Sequence, residues 1–165
     1  MINPTILLTP GPTPVPEAVR KLMAEPIFHH RTPRYRKIFG DVSERLKKVF
    51  MTRNPVYTFA GSGSLAMEAA IVNFHSTGDK ILIGENGKFA ERFTAIARAF
   101  GLNPIVIKMP LGEAVPPAMI EEALKKDPDI KAVCVQLCET STAVLNDIKA
   151  IGAVVAKTNA LLIVD

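Results

Sequence analysis

Two places in this sequence carry residue types whose setting implies chemistry most directly: the run Gly61-Ser62-Gly63-Ser64 and the final residue, Asp165. The run follows Phe59-Ala60 and leads into Leu65-Ala66-Met67-Glu68-Ala69-Ala70, the start of a helix rich in small residues. Small residues let a backbone come close to an anion. First-turn amides donate to it, two hydroxyls add hydrogen bonds, and the helix dipole favours its charge. The run therefore predicts a phosphate seat; the plainer reading is that Ser62 or Ser64 caps the helix in a tight turn. Gly61, Gly63 and Ala66 also satisfy the G-x-G-x-x-A form of the dinucleotide fingerprint, and Glu85 ends the next expected strand at about the spacing of a ribose-binding acid. Spacing by itself leaves NAD open.

Three further segments bear on the choice. Gly84-Glu85-Asn86-Gly87-Lys88-Phe89-Ala90-Glu91-Arg92 follows a strand end, which puts it on the carboxyl edge of a sheet, where open α/β folds bind ligands. Phe89 is placed to cover a planar ring there, although an aromatic opening a helix more commonly belongs to the core. Cys138-Glu139-Thr140-Ser141-Thr142 brings three hydroxyls and a carboxylate to the same edge, or forms a polar turn with incidental capping. Asp165 closes the apolar run Leu161-Leu162-Ile163-Val164; a carboxylate in that place can pair with a protonated ring nitrogen, and taken alone it reads as a turn or cap residue. Together the four segments describe a phosphorylated aromatic cation, which fits pyridoxal phosphate better than NAD.

Elements that would hold these residues alternate along the chain. Pro4, Pro10, Pro12, Pro14 and Pro16 predict an extended arm over residues 1–16, with Pro16 at the start of a short helix reaching about Met23. Tyr35, Ile38, Phe39, Val42, Leu46, Val49 and Phe50 recur at three- and four-residue steps, an amphipathic helix that Asn54-Pro55 ends. Strands are expected at Val56 to Phe59, Lys80 to Ile83, Ile105 to Ile107, Ala132 to Leu137 and at the final apolar run. Helices are expected from Ser64 to about Phe74, Phe89 to Phe100, Pro117 to Lys126 and Asp147 to Lys157. This alternation predicts an α/β fold with a mainly parallel sheet and flanking helices. No linker or repeat divides the chain, which reads as one incomplete domain: an arm (1–16), N-terminal helices (17–55) and a core (56–165).

Composition agrees. The 165 residues are 48% hydrophobic with a mean hydropathy of +0.20, rich enough for buried parallel strands. No apolar run approaches a membrane span and no leader pattern opens the chain, so the expectation is a cytoplasmic protein with no membrane partner. The net charge of +4 comes from Lys and Arg interleaved with acids, as in Glu44-Arg45-Leu46-Lys47-Lys48, which reads as a solvated surface rather than a nucleic-acid patch. Cys134 and Cys138 share a strand face if the strand continues, and without a neighbouring His or further Cys they read as buried apolar thiols rather than a metal site.

The order Leu8-Thr9-Pro10-Gly11-Pro12-Thr13-Pro14-Val15-Pro16, His29-His30-Arg31-Thr32, Thr52-Arg53-Asn54-Pro55, Gly61-Ser62-Gly63-Ser64, Glu68-Ala69-Ala70, Asn86-Gly87-Lys88-Phe89, Glu139-Thr140-Ser141-Thr142 and Leu162-Ile163-Val164-Asp165 resembles the class V aminotransferases over essentially the whole chain. The likeness is greatest to the alanine/serine–glyoxylate (serine–pyruvate) type, some of whose relatives carry the label of a soluble hydrogenase subunit. The resemblance implies the N-terminal part of the large domain of a fold-type I enzyme that uses pyridoxal 5'-phosphate. It implies that Ser62, Gly63 and Ser64 hold the phosphate, that Phe89 stacks on the ring, that Thr140 lies near the cofactor, and that Asp165 pairs with the pyridine nitrogen. The Gly11 loop resembles the family's active-site rim, and His30-Arg31 resembles a segment that in some relatives reaches toward substrate, that of the partner subunit included. The implied reaction moves an amino group between a small amino acid, such as alanine or serine, and a 2-oxo acid, glyoxylate or pyruvate, in a homodimer.

No lysine here stands in a matching motif. In relatives the Schiff-base lysine, the carboxylate-binding arginine and the small C-terminal domain lie beyond the equivalent of Asp165. Since that lysine is both covalent anchor and proton shuttle, the 165 residues alone are expected to be inactive and to be part of a longer or split enzyme. The other reading, from a different class, is a non-catalytic nucleotide-binding or assembly module.

Overall fold

The computed structural model describes residues 6–165. Met1 to Thr5 of the expected arm lie outside the described residues. The chain forms two compact units, one ending at Ala60 and one running from Gly61 to Asp165.

The first unit is helical. Residues 6–16 carry no helix or strand, as their prolines dictate, and a cis peptide joins Gly11 to Pro12. Helix α1 (Glu17–Met23) has Pro16 as its N-cap. Helix α2 (Pro33–Val49) starts where Thr32 Oγ1 accepts from the Tyr35 amide at 3.3 Å and Pro33 fills the first helical position, which needs no N–H donor. Neither helix buries a side chain fully within its unit. The strand expected over Val56 to Phe59 does not form. A strand needs a laddered neighbour, and among the described residues of this unit there is none; Tyr57 and Phe59 are both 76% exposed.

The second unit is a three-layer α/β arrangement. Its elements are α3 (Gly63–Val72), β1 (Lys80–Glu85), α4 (Lys88–Ala99), β2 (Asn103–Lys108), α5 (Pro117–Lys126), β3 (Ile130–Val135), a small hairpin of β4 (Cys138–Glu139) and β5 (Val144–Leu145), α6 (Ile148–Val155) and β6 (Leu161–Val164). Four strands form one parallel sheet in the order β2-β1-β3-β6. Alternation along each strand decides which side is which. Leu82, Val133 and Val135 pack with Ile120, Leu124, Ile151 and Val155 under α5 and α6, whereas Ile81, Ile83, Ala132 and Cys134 pack with Met67, Ile71, Phe93 and Ala97 under α3 and α4. Burying each such Leu or Ile contributes about 1.5–3 kcal/mol. Because both faces are covered, the strands read as continuous apolar runs, which is why the sequence pattern located them.

From β1 the chain winds outward to β2, then returns to build β3 and β6 on the other side of β1. The carboxyl ends of β1 and β3 therefore flank the point where winding reverses, and there the following loops part to leave a crevice. At the opposite end of the sheet, Lys80 at the start of β1 donates to Asp127 at 2.7 Å and lies 3.5 Å from Asp129. The Asp127 hydrogen bond raises the Lys80 pKa and the ammonium holds the Asp127 carboxyl below its ordinary value.

The paired buried thiols expected at Cys134 and Cys138 are not both present. Strand β3 stops at Val135 because the Asn146 side chain and amide take the Gln136 and Leu137 carbonyls at 2.8 and 3.0 Å and turn the chain into the hairpin. Cys134 is buried and Cys138 exposed. Burial pushes the Cys134 thiol up to about 12, so almost none of it is thiolate at neutral pH. A maleimide reagent at pH 7 should label Cys138 and reach Cys134 only on unfolding. Equal labelling rates for the two in the folded protein would contradict this packing.

Candidate functional site

The crevice at the winding reversal is an open cavity of about 530 Å³. Four of the chain's segments meet around it, and each is brought there by its own local structure.

The first is the start of α3. Ser62 is the N-cap, extended at φ −84° and ψ 172°, yet its hydroxyl makes no cap hydrogen bond. Leu65 N–H closes back on the Ser62 carbonyl at 2.9 Å. The amides of Gly63 and Ser64, first in the helix, have no carbonyl a turn earlier to receive them. Open space surrounds the Gly63 Cα, where a Cβ would meet nothing within 4 Å. Ser64 Oγ accepts from Arg92 Nη1 at 2.6 Å.

The second segment is the start of α4, whose amides are fully used. Lys88 N–H donates to Ser141 Oγ at 3.0 Å, while Phe89 and Ala90 N–H donate to Glu139 Oε2 at 3.0 and 2.9 Å. The other carboxylate oxygen of Glu139 accepts from the Ser141 amide at 3.1 Å and hydroxyl at 2.6 Å. Glu139 is fully buried, and its approach needs a glycine at position 87, since a Cβ there would sit 2.5 Å from Glu139 Cδ and 2.6 Å from Ser141 Oγ. The result is a half-buried Phe89 fixed at the cavity wall, with the Arg92 guanidinium 5.1 Å from its ring centroid.

The third and fourth segments are the ends of β3 and β6. Gln136, Leu137, Cys138 and Thr140 line the cavity from the first, Asp165 from the second. Asp165 is exposed, and its backbone extends the β3–β6 ladder by donating to Val135 O at 3.1 Å and accepting from Leu137 N–H at 2.7 Å. Behind the cavity, Asn146 Oδ1 accepts from Val115 N–H at 2.8 Å and from Asn86 Nδ2 at 3.3 Å, which ties the loops after β1 and β3 together.

Of the residues singled out in the sequence, Ser62, Gly63, Ser64, Phe89, Thr140 and Asp165 come together around this one cavity. Gly11, His30 and Arg31 belong to the first unit. There His30 stacks on His29 with centroids 4.4 Å apart, and the Arg31 amide donates to His29 Nδ1 at 3.1 Å. Glu85, the acid of the dinucleotide alternative, is buried and engaged: it accepts from Thr94 Oγ1 at 2.9 Å and lies 3.5 Å from Lys108 Nζ. With no strand leading into Gly61 and Glu85 turned inward, the dinucleotide fingerprint lacks both of its structural requirements. Sequence reasoning missed Arg92 and Gln136. Arg92 was findable, three residues after Phe89 and so on its helix face; Gln136 carried no signal beyond a polar residue ending an apolar strand. Among the described residues, no group of three or more His, Cys, Asp or Glu side chains could hold a metal ion, and no helix is long and apolar enough to cross a membrane.

The class-V aminotransferase family model matches residues 8–165. The chain belongs to that family. It is 44% identical over 160 residues to an uncharacterized aminotransferase of Methanocaldococcus jannaschii, covering 97% of this chain and 42% of the relative. It is 39% identical over 166 residues to a serine–glyoxylate aminotransferase of Hyphomicrobium methylovorum, covering 96% and 40%. The fold superposes on the crystal structure of pyridoxamine–pyruvate aminotransferase from Mesorhizobium loti with a TM-score of 0.90 at 28% identity, covering 99% of this chain and 42% of that one. The sheet with its flanking helices is thus that of the fold-type I pyridoxal-phosphate aminotransferases, and the chain spans about two fifths of the length of these relatives.

Glu139 should be the keystone of the site's stability. Glu139→Gln replaces an acceptor facing Ser141 with an amide donor and removes the charge opposite the α4 amides, so unfolding in urea should show a loss of about 1–3 kcal/mol. An unchanged midpoint would show that the hairpin does not hold α4.

Proposed function

We propose that this chain carries the cofactor half of a pyridoxal 5'-phosphate-dependent aminotransferase. The observation that carries the reading is the polarity of the cavity. One end offers unbonded first-turn amides, a free Ser62 hydroxyl and the Arg92 cation; the other offers the Asp165 carboxylate; Phe89 lies on the wall. A phosphorylated pyridinium has the complementary arrangement, with a dianion at one end, a flat ring, and a cation at the ring nitrogen.

In this reading Ser62, Gly63 and Ser64 hold the phosphate through amides and hydroxyls, and Arg92 offsets its charge. Phe89 packs on the ring, held against tilting by the Glu139 cap on its own amide. Thr140, exposed in the hairpin turn, offers a hydroxyl near the ring. Asp165 keeps the ring nitrogen protonated by supplying an anionic acceptor. The group, when bound, supplies an electron sink conjugated to the substrate Cα. Water is kept from the ring's wall side by Phe89, Met67 and Leu137, which line the cavity.

The amino donor is a small amino acid such as alanine or serine and the acceptor a 2-oxo acid, glyoxylate or pyruvate. The names of the serine–glyoxylate and pyridoxamine–pyruvate relatives support this choice. His30, Arg31 and Gly11 are proposed to serve substrate at the rim, and the working form is proposed to be a cytoplasmic homodimer. The apolar stripe of α2, with Ile38, Phe39 and Val42 each more than 40% exposed in the absence of a partner chain, supports association. Among the described residues no lysine lines the cavity, and in this reading the covalent anchor and proton shuttle come from residues other than these 165. The gene product should transaminate alanine or serine with glyoxylate or pyruvate. Borohydride trapping followed by peptide mapping should find no single dominant lysine among these 165 residues. One uniquely trapped lysine within them, or a gene product without aminotransfer, would overturn the reading.

Ser62→Asp places a carboxylate at the phosphate seat, and binding of pyridoxamine 5'-phosphate measured by calorimetry should weaken at least tenfold, since each 1.4 kcal/mol of repulsion is a factor of ten. Unchanged affinity would move the phosphate elsewhere.

A further inference from the structure

Gln136 is a buried polar cavity residue whose chemistry the reading above does not use. Its side chain is 1% exposed, and Nε2 is buried without a hydrogen-bond partner. Packing alone does not explain such a group, since an apolar residue of equal size would fill the space without stranding a donor. Its neighbours show what it could serve. The Asp165 N–H to Val135 O and Leu137 N–H to Asp165 O bonds bracket Gln136. Gln136 and Asp165 are therefore lateral partners on adjacent parallel strands, about 4.8 Å apart. Cys134 pairs with Ile163 in the same ladder, and two residues further on, Gln136 and Asp165 stand on that same face, toward α3 and α4. Both line the cavity. The Asp165 carboxylate accepts no hydrogen bond from any described side chain or amide, while the cation among the described cavity residues, Arg92, is engaged with Ser64. A buried donor without an acceptor thus stands beside an acceptor without a donor.

We infer that Gln136 is the positioning residue for Asp165: its Nε2 donates to one carboxylate oxygen and leaves the other aimed at the protonated ring nitrogen. This rests on the pyridoxal-phosphate reading of the cavity. The carboxylate is exposed and accepts no hydrogen bond among the described residues, and a bond from a fully buried amide would restrict it to the orientation a ring cation needs. Gln136 then acts on the ring only through Asp165.

The test is a double-mutant cycle on the gene product with Gln136→Met, which keeps the volume and removes the donor, and Asp165→Asn. Three quantities are read: thermal midpoint without ligand, calorimetric affinity for inorganic phosphate, and affinity for pyridoxamine 5'-phosphate. Gln136→Met should leave the midpoint unchanged or raised and phosphate binding unchanged, and should weaken pyridoxamine 5'-phosphate roughly five- to tenfold, the worth of one hydrogen bond. In the Asp165→Asn background it should cause no further loss. An equal loss in that background would overturn the inference in favour of direct contact with the ligand, and a lowered midpoint with unchanged affinity would overturn it in favour of packing. If Asp165→Asn itself leaves pyridoxamine 5'-phosphate affinity untouched, the pairing of Asp165 with the ring fails, and this inference with it.

Discussion

The buried carboxylate of Glu139 is the interaction on which the rest of the site depends. It takes two amides from the first turn of α4 and two donors from Ser141, so a single side chain joins the loop after β3 to the helix after β1. Those two elements straddle the point where the sheet reverses its winding, and with nothing across the gap their loops would be free to part. Asn146 reinforces the joint from behind by taking the Val115 amide and donating to the Gln136 carbonyl. The wall residue Phe89 inherits its position from this joint.

The consequence is an asymmetry between two helix N-termini at one cavity. That of α4 is neutralised from within by Glu139 and Ser141. That of α3 is left with free amides and an uncommitted Ser62 hydroxyl. An anion entering the cavity meets a prepared partner at α3 and a satisfied one at α4, which gives the ligand a direction. Asp165 at the far strand sets the other pole. The proposed orientation of a phosphorylated pyridinium follows from these two poles, and the inward-turned Glu85, bonded to Thr94, is what makes a dinucleotide a poor fit.

Most of the fold, and the meeting of Ser62, Phe89 and Asp165 at one cavity, was legible in the sequence where hydrophobic periodicity and strand-end position carry the information. The strands Lys80–Glu85 and Leu161–Val164 and the helix Pro117–Lys126 declare themselves because both faces of a parallel sheet are buried. Val56 to Phe59 has the same apolar look but no partner strand among the described residues, and a ladder cannot be read from one strand alone. The break after Val135 was hidden because its cause is Asn146, ten residues beyond Gln136. Glu139 was visible as one of the acids on the carboxyl edge, but its role as a cap on α4 depends on a contact fifty residues away in the chain. Gln136 could not be found at all without knowing that its amide is buried and unpartnered.

The central claim, that the cavity is directional and built for a phosphorylated pyridinium, is tested most directly by diffraction from crystals of the protein grown with pyridoxamine 5'-phosphate. The account predicts the phosphate over the amides of Gly63 and Ser64, the ring face on Phe89, and the ring nitrogen within hydrogen-bond distance of the Asp165 carboxylate. A ligand bound with its ring nitrogen turned away from Asp165, or with its phosphate at any other seat, would contradict it.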